Sequence, residues 1–265
     1  MHSLTKNISS ASLQLLPFPH VVVDNVLDKE LYEKLEREYP FESKVEGYSG
    51  YENNERYQIS AVDALREQRV SPLWKEFIRY HVSKDFLGNV CTLFSSGLKK
   101  YYPEFSSGGS TGVRFIDTTA DTWMDCQPGI NSPVREVSSV KGPHLDHPSE
   151  LFAGLLYFRH PEDSSTGGDL ELYRYKASGY HYGPRRFIEE RFVEKVGSVS
   201  YAPNRLVLFL NTIDSVHGVS PRSVTPFTRR LCNFIGESGH GSLFTIPTKI
   251  SPTARAKSFL RGVIK

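Results

Sequence analysis

Apolar positions divide the chain into two regions with different periodicity. Before residue 110 they recur mostly at helical spacing, after one opening strand. Pro19-His-Val-Val-Val-Asp-Asn-Val26 is dominated by β-branched residues and predicts that strand. Asp28 then offers an N-cap, and Leu31 and Leu35 fall one turn apart, so a short helix is expected that ends before Pro40. Residues 41–70 are polar and carry Tyr48, Tyr51 and Tyr57, which predicts an ordered but irregular segment. Ser71-Pro72 opens a second helix with the stripe Leu73, Phe77, Tyr80. Ser83 opens a third, with Phe86, Val90, Leu93 and Phe94 on one face.

After residue 110 short β-rich runs alternate with Gly, Pro, Asn and Ser breaks. The runs are 112–116, 122–124, 152–158, 169–173, 205–210 and 230–235. Helices first and strands later predict an α+β fold, mainly β, in which N-terminal helices buttress a barrel or double-sheet jelly roll. The expected layout is one domain over 1–265: a helical N-terminal segment over 1–109, a β core over 110–236 and a C-terminal tail over 237–265.

Composition narrows the partners. The 265 residues are 38% hydrophobic and 23% charged, as in a globular chain, with a net charge of +2. That balance lacks the basic bias of a nucleic-acid or anionic-membrane binder. No run approaches about 18 apolar residues, so no membrane span is expected. Three cysteines without CxxC spacing argue against a disulfide framework or a Cys-rich zinc site, and Cys126 and Cys232 read as buried small hydrophobes. Met-His-Ser-Leu-Thr-Lys is not followed by an apolar stretch, so a cytoplasmic protein without a signal peptide is expected. No strand is followed by a phosphate-binding Gly-rich loop.

The candidate chemistry starts at Gly142-Pro-His144-Leu-Asp146-His147. Side chains two apart on an extended segment share a face, so His144 and Asp146 aim at one point while His147 points away. A His-x-Asp alone also reads as a polar surface loop. His217, in Asn211-Thr-Ile-Asp-Ser-Val-His217-Gly-Val, follows an apolar strand and supplies a second imidazole. Two histidines and one carboxylate form the facial triad of non-heme Fe(II) oxygenases, which leaves open positions on the metal. Twelve residues on, Thr228-Arg229-Arg230 places an arginine on a strand, suited to a bidentate pair with a carboxylate or to a surface ion pair.

These pieces together resemble the Fe(II)/2-oxoglutarate-dependent dioxygenases, most closely the prolyl-hydroxylase-like branch. The resemblance rests on His144-Leu-Asp146, Gly-Leu-Leu-Tyr157-Phe, Gly167-Gly-Asp-Leu-Glu-Leu, Asn204-Arg-Leu-Val-Leu-Phe209, His217-Gly-Val and Thr228-Arg229, in that order over residues 110–236. Phe18-Pro-His-Val-Val-Val-Asp-Asn-Val-Leu27 resembles the branch's lead-in strand. The resemblance implies a double-stranded β-helix with His144, Asp146 and His217 as catalytic metal ligands. It implies 2-oxoglutarate as co-substrate, with its far carboxylate on Arg229 and Tyr157. Arg230 is the rival for the arginine role, and strand alternation leaves the choice open. Gln127 is a candidate for the keto-acid end, or a structural glutamine. Fe(II), O2 and supporting ascorbate complete the expected requirements.

The expected reaction is hydroxylation of a substrate C–H bond with release of succinate and CO2. Asp146 occupies the place that a small residue would take in a halogenase of this family. The interval 173–186, rich in Tyr, Arg and Lys, reads as a loop over the site mouth or as a solvated hairpin. It points to a polar or anionic substrate: a small molecule, an amino acid or a glycan. The alternatives are a cupin-like isomerase or hydrolase using another metal, and a non-catalytic binding module.

Overall fold

The structure, a computed structural model, describes residues 4–5, 8, 12–41, 50–105, 109–176 and 186–246. Apolar runs without alternation become strands buried on both faces. The clearest is Arg-Leu-Val-Leu-Phe-Leu, strand β8 (Arg205–Leu210), in which every residue after Arg205 is buried. It pairs antiparallel with β1 (His20–Asp24) on one side and with β5 (Glu150–Tyr157) on the other. β5 pairs with β10 (Arg229–Ser238), β10 with β4 (Thr122–Asn131), and β4 with the three-residue edge strand β2 (Arg56–Gln58). β3 (Thr111–Val113) runs parallel to the start of β4. This main sheet has the order β1-β8-β5-β10-β4-β2, with β3 beside β4. A smaller sheet, β7-β6-β9, combines β7 (Val193–Val199), β6 (Leu170–Tyr175) and β9 (His217–Val219).

Each face of the main sheet has its own apolar layer. The outer face packs on helices α1 (Lys29–Arg37), α2 (Ala61–Arg66), α3 (Pro72–His81), α4 (Lys84–Leu93) and α5 (Ser95–Tyr101). Ser71 and Ser83 cap α3 and α4 by accepting from the Trp74 and Phe86 backbone N–H groups. Trp74 is fully buried, packs against Tyr39, Phe77 and Phe158, and donates its indole N–H to the Leu35 carbonyl at 2.9 Å. Each such buried aromatic contributes roughly 1.5–3 kcal/mol by burial. The inner face meets the small sheet through Ala153, Tyr157, Leu170, Leu172, Val199, Tyr201, Val207, Phe209 and Leu231. Among the described residues no helix is long and apolar enough to cross a membrane.

Besides α5 and β9, which have no predicted counterpart, four segments differ from the sequence expectation. The irregular stretch 41–70 contains β2 and α2. Strand β7 has no predicted counterpart. The run 112–116 is a strand only through Val113, and Phe115 turns with φ 70°. The run 122–124 is only the start of β4, which continues through Pro128-Gly129 to Asn131. Pro128 is tolerated because its carbonyl accepts from Ile59 N–H on the β2 side, so its missing donor faces a rim just past the end of β2. Residues 177–185 of the interval 173–186, and the tail beyond 246, lie outside the described residues.

Candidate metal centre and anion pocket

His144 and His217 face each other across a two-hydrogen-bond bridge: His144 N–H donates to the His217 carbonyl at 2.8 Å, and His217 N–H to the His144 carbonyl at 3.1 Å. β9 is held in turn by β6, with Leu172 opposite His217. The approach of the 142–144 strap requires Gly218, where a Cβ would meet the Gly142 carbonyl carbon at 3.1 Å.

The side chains converge. His144 Nε2 stands 3.6 Å from Asp146 Oδ1, and His217 Nε2 stands 3.4 Å from Asp146 Oδ2. One ligand atom from each lies within 4.8 Å of the others. Two ligand atoms each about 2.1 Å from one ion stand about 3–3.4 Å apart at octahedral or tetrahedral angles, so the set fits a single transition-metal ion.

Tautomers follow from the other ring nitrogens. His144 Nδ1 lies 2.8 Å from the Gly142 carbonyl, and His217 Nδ1 lies 2.9 Å from the Ser215 carbonyl. A carbonyl only accepts, so each Nδ1 carries the proton and each Nε2 turns its lone pair toward Asp146. Burial, with His217 alongside, pushes His144 down to about 4, and burial lowers His217 as well. Both rings are therefore neutral donors at physiological pH. Burial pushes Asp146 up, but the facing imidazoles and Lys141 outweigh it and hold the carboxyl below the usual range.

The triad opens into a cavity of about 290 Å³, also lined by Arg56, Arg114, Asn131, Lys141, Glu150, Asn233 and Arg229. Arg229 lies on the inner face of β10. Its Nε donates to the Gly168 carbonyl at 2.7 Å and its Nη1 to Asn131 Oδ1 at 3.2 Å, and its guanidinium stacks over Tyr157 and Tyr201. Gly167 and Gly168, both at positive φ, let the turn before β6 reach it; a Cβ on Gly167 would stand 1.8 Å from the Pro221 oxygen. Among the described residues Arg229 Nη2 is buried without a hydrogen-bond partner. Tyr157 is buried beside it, and among the described residues its hydroxyl meets no partner at hydrogen-bonding geometry. A buried guanidinium with an unused donor calls for an anion.

Arg230 faces the other way. It pairs with Glu36 of α1 and lies over the Tyr39 ring, on the helix side of the sheet. Gln127 is not in the cavity lining: its amide donates to Asp125 Oδ2 at 2.6 Å and its oxygen accepts from Asn233. His147 contacts Ser149 Oγ at 2.6 Å, outside the triad. Arg174 pairs with Glu194 on the exposed side of the small sheet, Arg186 donates to the Leu145 carbonyl, and Arg185 is outside the described residues. Sequence reasoning misses Arg56, Arg114, Asn131, Lys141 and Glu150. Arg56 and Asn131 carry one sequence signal, polar residues next to Tyr57 and Ile130, which pack in the helix-side apolar layer, but it is legible only once those strands are recognised.

No family model and no curated protein matches the chain. Solved structures do. A prolyl 4-hydroxylase from Phytophthora capsici superposes with a TM-score of 0.52 at 16% identity, over 97% of this chain and 72% of that one. A Pseudomonas putida prolyl-4-hydroxylase gives 0.44 at 13% identity, over 83% and 92%. The α-ketoglutarate-dependent epimerase SnoN of nogalamycin biosynthesis gives 0.46 at 11%, over 83% and 78%. At such identities likeness speaks for architecture alone, and the first of these superpositions is strong enough to establish it. The chain has the fold of a prolyl 4-hydroxylase.

Proposed function

We propose that the protein is an Fe(II)- and 2-oxoglutarate-dependent oxygenase that hydroxylates a polar or anionic substrate. The observation that carries this reading is one cavity lined both by two neutral imidazoles with a carboxylate and by a buried arginine that has no carboxylate partner among the described residues. In it His144, Asp146 and His217 hold the metal, and Arg229 with Tyr157 holds the far carboxylate of the co-substrate. The chemistry supplied when both are bound is oxidative: 2-oxoglutarate is decarboxylated to succinate and CO2 as O2 is consumed and a substrate C–H bond becomes C–OH.

The chain's own contribution is placement. The backbone carbonyls of Gly142 and Ser215 hold both imidazoles in the tautomer that presents Nε2, so no proton has to leave before an ion is bound. The Gly168 carbonyl and Asn131 orient the Arg229 fork, and the Tyr157 and Tyr201 rings keep water from it. The cationic lining from Lys141 and Arg114 supports an anionic substrate better than a neutral one. A cupin-like isomerase or hydrolase would have no use for the arginine, and a metal-free binding module no use for the aligned lone pairs. The test is succinate formation from 2-oxoglutarate with Fe(II), ascorbate and air. Its absence, with metal shown to be bound, would reject the reading.

A further inference from the structure

Arg56, Asn131 and Arg229 stand in one row across three strands. Asn131 is the register partner of Arg56 on β2 and of Arg229 on β10. Register partners share a face, and strands lie about 4.8 Å apart, so the two arginine Cα atoms are about 10 Å apart with Asn131 between them. All three line the cavity. Neither guanidinium has a carboxylate partner among the described residues: Arg56 Nε bonds only to Gln58 Oε1 on its own strand. Among the described residues Arg56 Nη2, Arg229 Nη2, Asn131 Nδ2 and the Tyr157 hydroxyl are all buried without a hydrogen-bond partner. Three unused donor atoms on the cavity lining, with the Tyr157 ring against the Arg229 guanidinium, suit the roughly four lone-pair sites of a single carboxylate. Burial, with Arg229 nearby, pushes Arg56 down to about 10, so the pair repels when nothing lies between.

We propose that Arg56 and Arg229 clamp one carboxylate between them, the far carboxylate of a dicarboxylic 2-oxo acid, and that this anion fastens edge strand β2 to the sheet. The inference rests on the co-substrate reading above and adds Arg56 and Asn131 to it. The β2–β4 ladder covers three residues, with single backbone bonds beyond it from Ile59 N–H to the Pro128 carbonyl and from Ser132 N–H to the Glu55 carbonyl. Binding a carboxylate at the junction replaces repulsion between two guanidinia by attraction of both to a shared anion. Occupancy of the pocket and seating of β2 become one event.

The test uses the full chain loaded with Fe(II) under anaerobic conditions and titrated calorimetrically with 2-oxoglutarate or with 2-oxopentanoate, which has a methyl in place of the far carboxylate. Hydrogen exchange at residues 56–58 is followed in parallel. Wild type should prefer 2-oxoglutarate strongly. Arg56→Gln should weaken 2-oxoglutarate binding by about tenfold or more and leave 2-oxopentanoate unchanged, since a hydrogen bond to a charged group is worth at least that factor. Amides of β2 should gain protection with 2-oxoglutarate on wild type only. Arg56→Lys keeps the charge without the fork, should fall between, and carries the same comparison if the amide variant does not fold. If wild type discriminates between the acids and both Arg56 variants discriminate equally well, the clamp is wrong and the co-substrate site stands. If wild type binds the two acids alike, the co-substrate reading fails and the clamp with it.

Discussion

The two faces of the main sheet carry adjacent arginines with opposite fates. On the outer face Arg230 is buried against α1, paired with Glu36 and stacked on Tyr39. On the inner face Arg229 is equally buried, has neutral partners, and keeps one donor unused. On the outer face a carboxylate of the protein meets the guanidinium charge, as in a structural layer, although Arg230 Nε is also buried without a partner among the described residues. The inner face leaves Arg229, Arg56, Asn131 and Tyr157 short of acceptors in one place. Unsatisfied buried donors cost about 1–3 kcal/mol each, so their clustering marks where a ligand is expected.

The contrast is broken most severely at the triad. Alanine at His144, Asp146 or His217 should weaken metal binding by more than about 100-fold, measured by calorimetry, and abolish succinate formation while the circular dichroism of the fold persists. Next come the neighbouring arginines. Arg229→Ala should weaken 2-oxoglutarate binding by a factor of hundreds, about 3–5 kcal/mol for removing one partner of a buried charge pair. Arg230→Met should leave that affinity alone and lower the unfolding free energy by about 2 kcal/mol, read by urea titration. A large binding effect at Arg230 with none at Arg229 would reverse the assignment of the two faces. Gly218→Ala should be milder, about 1–3 kcal/mol from pushing the 142–144 strap away, and should weaken metal binding as well as stability.

A separate effect is a pH dependence. Burial, then Asp146, raises Glu150 to about 8 from its ordinary 4.5. Between those values the folded state holds a proton that the unfolded chain has released, so this group's contribution to stability is lost as pH rises toward 8. Glu150→Gln removes the dependence. In the metal-free protein its melting temperature should match wild type near pH 4 and exceed it at pH 9; equal melting temperatures at both would show that Glu150 ionises freely.

What sequence reading can reach depends on how local the information is. His144 and Asp146 share a face because they are two apart, and His217 follows a strand whose apolar run is unmistakable. The choice between Arg229 and Arg230 needs the register of β10, because period-2 alternation gives two faces without saying which looks inward. Arg56 is out of reach for a stronger reason: its neighbours Asn131 and Arg229 are distant in the chain and meet it only through strand pairing. The second half of β4 is hidden by Pro128-Gly129, a pair that normally signals a turn. Gln127 suits a ligand role by position alone, and Asp125 and Asn233 engage it instead.

Pro128 also bears on how molecules of this protein meet one another. Between the ends of β3 and β2 the rim of β4 covers residues 125–128, and alternate residues point outward there. The Cys126 N–H is taken by Asp125 Oδ1 at 2.9 Å, Pro128 has no N–H, and the Pro128 carbonyl already accepts from Ile59. An incoming strand would find no donor to pair with. The gap left by two three-residue edge strands is thus shut to strand addition.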